Sequence, residues 1–209
     1  MSDTPYLLHH APGTRSVRVL WLLRELGLPH QVLQRSLTEF VMDRGYRQLN
    51  PSGRLPFLLD HGQPRHESLA ILHTLVETQA ADSHLWRPLG HPERPAMLEW
   101  MEWSETIQVQ VQNLNQQRLF MRPETRSEAL VKLETVRLGR SLALVDERLA
   151  DRDWLLPGGF SLADIAMGYT VAVSQVFRPL DEWPRLQAYV ARLKARPAVG
   201  DLLDLPTAM

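Results

Sequence analysis

The feature that most constrains the fold is a single change of pattern along the chain. From Tyr6 to about Ala80, short apolar segments (Tyr6–His9, His30–Leu33, Leu55–Asp60) alternate with stretches of helical periodicity (Arg15–Leu26, Phe40–Leu49, Ser68–Gln79). Alternation of this kind builds a sheet covered by helices. Pro64 has no N–H to give a ladder, which demotes Gln63–Arg65 to an edge or distorted strand. Three prolines and a glycine then fall within the ten residues Trp86–Pro95, the mark of a linker. Beyond it the pattern is helical: Trp100, Trp103, Ile107, Val111 and Leu114 recur at three- and four-residue steps, as do Leu138, Leu142, Val145 and Leu149. The expected organisation is an α/β domain over residues 1–82, a linker over 83–94 and an all-α domain over 95–209.

Composition narrows the function classes. At 209 residues the chain can bury one large core or two small ones. Lys and Arg total 23 against 24 Asp and Glu, a net charge of -1, so neither nucleic acid nor an anionic membrane surface is an expected partner. No apolar run approaches the roughly 18–20 residues of a membrane span, and Met1–Pro5 lacks the charged and apolar regions of a signal peptide. A cytoplasmic protein is expected. The chain has no cysteine, which removes disulfides, thiolate metal sites and a protein-borne redox nucleophile. His9 and His10 do not read as a metal site, because adjacent strand residues face opposite ways and no third ligand is suitably spaced.

One stretch describes a peptide-binding turn. In Asn50-Pro51-Ser52-Gly53-Arg54-Leu55-Pro56-Phe57, Gly53 loosens the backbone before a proline that opens a strand. Leu55 would then offer an N–H and C=O to an extended small peptide, with the Leu55–Pro56 bond expected to be cis. Eleven residues after Pro56, Glu67 and Ser68 add a carboxylate, a hydroxyl and the free N–H groups of a helix N-terminus. That combination suits an α-amino-acid head group carrying both charges. Upstream, Pro12-Gly13 ends the first strand in a turn and Thr14 reads as the N-cap of a helix whose buried face is Val17, Leu20, Trp21, Leu23 and Leu26. Ser161-Leu162-Ala163-Asp164 forms a Ser-x-x-Asp capping box before an apolar helix, a folding element.

In this order and spacing, these segments, with His9–Gly27 and Trp183–Val199, resemble the glutathione S-transferase family over nearly the whole chain. The resemblance implies a thioredoxin-like glutathione-binding domain, an all-helical second domain and a homodimer. It also implies glutathione as co-substrate, no metal, and an electrophilic, hydrophobic small molecule as the second substrate. The second substrate's pocket would be built by the first two long helices of the helical domain. Arg54, Leu55, Pro56, Glu67 and Ser68 would bind glutathione, with Arg54 placed for its glycyl carboxylate. The turn Thr14-Arg15-Ser16-Val17-Arg18 is similar to the bacterial and fungal Ser-Arg-Ser-x-Arg motif that supplies the hydroxyl bound to the glutathione sulfur. Thr14 and Ser16 are the catalytic candidates.

Magnitudes set what that hydroxyl must do. A thiol of pKa about 8.5 must fall by roughly two units to be mostly thiolate at neutral pH, a stabilisation of about 2.7 kcal/mol. A helix N-terminus supplies roughly 0.3–1 kcal/mol, occasionally about 2. A hydroxyl donating to the anion adds about 1.5–3 kcal/mol, so dipole and hydroxyl together suffice. At about 100° per residue, Thr14 and Ser16 lie roughly 200° apart on a helix, which predicts that only one faces the sulfur. Thr14 as a simple cap, and Glu67 and Ser68 as simple helix-start residues, are readings that also fit the sequence. Two functions follow from the resemblance: a transferase, with peroxidase or dehalogenase chemistry as variants, or a binder of glutathione or protein without turnover. The missing cysteine argues against thiol-exchange branches.

Overall fold

The computed structural model of the chain describes residues 5–204. The expectations for Met1–Thr4 and for residues 205–209 lie outside them. Two compact units divide the described chain: one runs through Trp86 and also takes in the stretch that begins at Pro197, and the other is Arg87–Arg196.

The first unit carries the strands β1 (Tyr6–His10), β2 (His30–Gln34), β3 (Phe57–Asp60) and β4 (Gln63–Arg65), and the helices α1 (Ser16–Glu25), α2 (Leu37–Met42), α3 (Arg44–Leu49) and α4 (Ser68–Gln79). The sheet order is β2-β1-β3-β4. β1 pairs parallel with β2 through the α1 crossover and antiparallel with β3, with His9 opposite Phe57. This is the thioredoxin-like arrangement that the resemblance implies. β4 is the exposed edge strand that Pro64 calls for.

α1 departs from a one-sided helix, since every residue from Ser16 through Leu23 is buried, Arg18 included. Its end is a Schellman motif. Gly27, at φ 61°, donates to the Arg24 carbonyl at 3.1 Å, and the Leu28 N–H reaches the Leu23 carbonyl at 3.0 Å. The helix expected over Phe40–Leu49 is two short helices instead. Asp43, at ψ 110°, breaks the run and caps the second piece by accepting from the Tyr46 N–H at 3.1 Å, while Arg35 donates to its other oxygen at 2.7 Å. These bonds hold the Asp43 carboxyl below its usual range.

The second unit is helical: α5 (Arg94–Asn115), a π-helical turn at Gln116–Phe120, α6 (Glu128–Arg148), α7 (Leu162–Ser174) and α8 (Pro184–Lys194). The buried row of α5 is Met97, Met101, Ser104, Ile107, Val111 and Leu114. Trp100 and Trp103 flank it half-buried, a correction to the stripe expected from spacing, and Arg148 lies 5.7 Å from the Trp100 ring. α7 is buried at every position, and α5 packs along it. The capping box at its start is complete, with both reciprocal bonds of Ser161 and Asp164 made. No helix among the described residues is long and apolar enough to cross a membrane.

Candidate functional site

The antiparallel pairing of β1 with β3 brings the end of β1 beside the start of β3, and three side-chain contacts draw the predicted segments together. Leu55 packs on the cluster of Ala11, Phe40, Tyr46 and Phe57. The His66 ring lies 5.2 Å from Phe57, which places the approach to α4 next to the same strand. Arg18, fully buried on α1, donates to the Ser68 hydroxyl at 3.1 Å at the first residue of α4.

The Leu55–Pro56 bond is cis, as the sequence predicts. Among the described residues neither the N–H nor the C=O of Leu55 meets a hydrogen-bond partner, so both can serve an extended peptide. The turn ahead of it is locked by residues that sequence reasoning passed over. The Asn50 amide donates to the Arg54 carbonyl and to the Tyr46 hydroxyl, both at 2.7 Å, and the Tyr46 hydroxyl donates to the same carbonyl at 2.8 Å. Ser52 donates to the Asn50 side-chain oxygen at 2.7 Å, and Gly53 takes up a φ of 63° that favours glycine. The Asn50-Pro51 turn signal was the available clue to this anchor. Arg54 itself is exposed. His9 stacks on Tyr46 with ring centroids 5.4 Å apart, forming the wall behind the turn, and burial lowers its pKa.

Glu67 does not cap α4 with its side chain. Its carboxylate is exposed, and its backbone sits at φ 64°, ψ 111°. A non-glycine residue there costs on the order of 1–3 kcal/mol and persists where its surroundings over-determine it, commonly at ligand sites. Below it, Ser68 is buried over the Arg18 guanidinium. A helix N-terminus, an exposed carboxylate and a buried cation under a hydroxyl form a site with both signs of charge, which is what a zwitterionic amino-acid head group requires.

The two hydroxyl candidates are not on opposite sides of a helix. Thr14 lies two residues ahead of Ser16, the first residue of α1; Arg15 between them makes no side-chain cap bond, and the Thr14 hydroxyl accepts from the Ser16 N–H at 3.4 Å in its place. The Thr14 and Ser16 hydroxyl oxygens are 2.7 Å apart. Thr14 is half-buried and donates to the Ala11 carbonyl at 2.8 Å, while Ser16 is fully buried and accepts from the Ala11 N–H at 3.3 Å. Ser16 thus backs Thr14 instead of competing with it. The Ala11 carbonyl also accepts from the Thr14 N–H at 3.2 Å, so the Thr14 proton can turn to another acceptor without leaving that carbonyl bare. Tyr6 is buried in β1 and packs edge-on to His61.

Family models for the glutathione S-transferase N-terminal domain and C-terminal domain match residues 14–78 and 115–197. A solved glutathione transferase from Methylococcus capsulatus is 30% identical, with a TM-score of 0.80 over 95% of this chain and 97% of that one. The chain belongs to the glutathione S-transferase family. The FtsZ-localized protein A of Caulobacter vibrioides is 28% identical over 94% of this chain and 90% of its own length. A glutathione transferase homolog from Lodderomyces elongisporus, solved with two glutathione molecules per subunit, has a TM-score of 0.84 at 21% identity, covering 97% and 99% of the two chains. Its likeness establishes the fold. Within this glutathione S-transferase fold the present chain has its own hydroxyl pair, Thr14 and Ser16, at the start of α1.

Proposed function

We propose that the chain is a glutathione transferase that binds glutathione in the first unit and presents its sulfur as a thiolate to an electrophilic, apolar small molecule. The observation that carries this reading is the Thr14 hydroxyl, backed by Ser16 at 2.7 Å just ahead of the N-terminus of α1. Thr14 donates to the sulfur, the helix terminus adds to the stabilisation, and the thiol proton leaves to solvent. Neither hydroxyl acts as a base. Leu55 pairs with the cysteinyl unit, Glu67 and Ser68 hold the γ-glutamyl head group, and Arg54 reaches the glycyl carboxylate.

The reaction to test is conjugation of glutathione to an activated aryl chloride, in which the sulfur–carbon bond forms and chloride leaves. Turnover above the uncatalysed rate supports the reading. Glu67→Ala should then weaken glutathione binding by about 5- to 150-fold, the loss of a charge-assisted bond worth roughly 1–3 kcal/mol, as isothermal titration calorimetry would read. Likeness to the Caulobacter protein, whose name describes a localisation and not a reaction, supports the second reading of a non-catalytic binder. Retention on immobilised glutathione without turnover of aryl chlorides, hydroperoxides or alkyl halides would favour it.

A further inference from the structure

The hydroxyl pair does not end at Ser16. His10 closes β1 with its ring buried, and its Nδ1 lies 2.8 Å from the Ser16 hydroxyl oxygen. The neighbouring His9 ring goes instead to the aromatic wall of Phe40, Tyr46 and Phe57. We propose that His10 is a positioning residue for thiolate formation, the inner end of a hydrogen-bond chain that runs from its Nδ1 through Ser16 and Thr14 to the glutathione sulfur. The inference rests on the proposed function of the site.

The chain has a direction. With a proton on Nδ1, His10 donates to Ser16, Ser16 donates to Thr14 and Thr14 donates to the sulfur, and each hydroxyl that accepts a bond becomes a stronger donor. With the proton on the other ring nitrogen, Nδ1 becomes an acceptor that draws the Ser16 proton at 2.8 Å, closer than the Ala11 carbonyl at 3.3 Å, and Thr14 loses its backing. A thiolate at the outer end therefore selects the tautomer that supports it. The ring is held neutral for this work. Burial first, and then the positive charge of Arg24 on α1, lower its pKa to about 4, against a smaller opposing pull from Asp201. A neutral imidazole donates without adding a fixed charge, so it polarises the hydroxyls and leaves the anion on sulfur. The end of β1 is itself fixed, since the His10 carbonyl accepts from the Arg35 N–H at 3.1 Å.

The test compares the wild-type chain with His10→Phe, His10→Asn, Ser16→Ala and the double variant His10→Phe/Ser16→Ala. The ultraviolet absorbance of the thiolate is followed against pH in each glutathione complex. In His10→Phe the pKa of bound glutathione should rise by about half to one unit, and kcat/KM near pH 6.5 should fall about three- to tenfold. Glutathione affinity at pH 5, where the sulfur is protonated, should stay the same. His10→Asn, whose amide can place a donor near the Nδ1 position, should recover most of the loss. Once Ser16→Ala has cut the chain, His10→Phe should add nothing. An unchanged titration in His10→Phe beside a lowered wild-type pKa overturns the role of His10 and leaves the proposed function standing. So does a His10→Phe shift that persists in the double variant. An unlowered pKa in the wild-type complex defeats the reading of the site itself. Should His10→Phe not fold, His10→Asn and Ser16→Ala still decide: a normal wild-type titration retained in Ser16→Ala removes the chain.

Discussion

Thr14→Val should lower kcat/KM for glutathione conjugation near pH 6.5 by about 10- to 100-fold. The replacement keeps the shape of the side chain and removes its donor, and a hydrogen bond to a charged group is worth about 1.5–3 kcal/mol. The fold should be kept, because the Ala11 carbonyl retains its bond from the backbone N–H at position 14 and the lost bond from the Ser16 N–H costs about 1 kcal/mol. The loss should depend on pH in a defined direction. A thiol whose bound pKa lies below its free value gains binding energy above the bound pKa and none below it, so glutathione affinity at pH 5 should match wild type. Thr14→Ser should retain most of the rate, and Ser16→Ala should lose several-fold, because Ser16 touches the Thr14 hydroxyl. Steady-state pH profiles of the three variants check this directly.

The largest stability effect should come from Asp164→Ala in the second unit. Asp164 is fully buried, and its carboxyl accepts from the Leu155 N–H at 3.0 Å, the Ser161 N–H at 2.9 Å, the Ser161 hydroxyl at 3.2 Å and the Tyr189 hydroxyl at 3.0 Å. Burial pushes its pKa up to about 6 against the pull of these four bonds. As a carboxylate it accepts from all of them. Removing the carboxylate costs a helix cap, about 1 kcal/mol, and leaves buried donors bare at roughly 1–3 kcal/mol each. With partial relaxation the loss is about 3–5 kcal/mol, or about 10 °C in Tm for a chain of this size. Ser161→Ala removes one acceptor and one donor from the same box and should cost about 1 kcal/mol. Thermal unfolding followed by circular dichroism would separate the two, and a similar Tm for both variants would contradict this account of the α7 start.

Local chemistry was legible in the sequence, and contacts between distant elements were not. Pro64 announced an edge strand, Glu67-Ser68 announced the start of α4, and Ser161 with Asp164 announced the start of α7, because each acts within a few residues of itself. The break at Asp43 was missed because the apolar rhythm of Phe40–Leu49 runs through it. What decides it is the Asp43 carboxylate, which caps the second piece through the Tyr46 N–H and is held by Arg35 from the loop after β2. A helical count places Arg18 near the buried Trp21 but names no partner for its charge; the structure sets it against Ser68, 50 residues further on. The contact of Thr14 with Ser16 is set by the turn around the Ala11 carbonyl, which a count of helical angles does not describe. His10 had no signal that could connect it to Ser16, since the contact crosses from a strand into the turn and first residue of α1. The candidate site was found from its motifs, and its supporting shell had to be seen.

The most direct test of the central claim is a titration of glutathione bound to the wild-type chain, following thiolate absorbance from pH 5 to pH 10. Dipole and hydroxyl together should place the midpoint roughly two units below the free thiol value of about 8.5, with the Thr14→Val complex returning about one to two units toward it. A wild-type midpoint at the free value would contradict thiolate activation by this site.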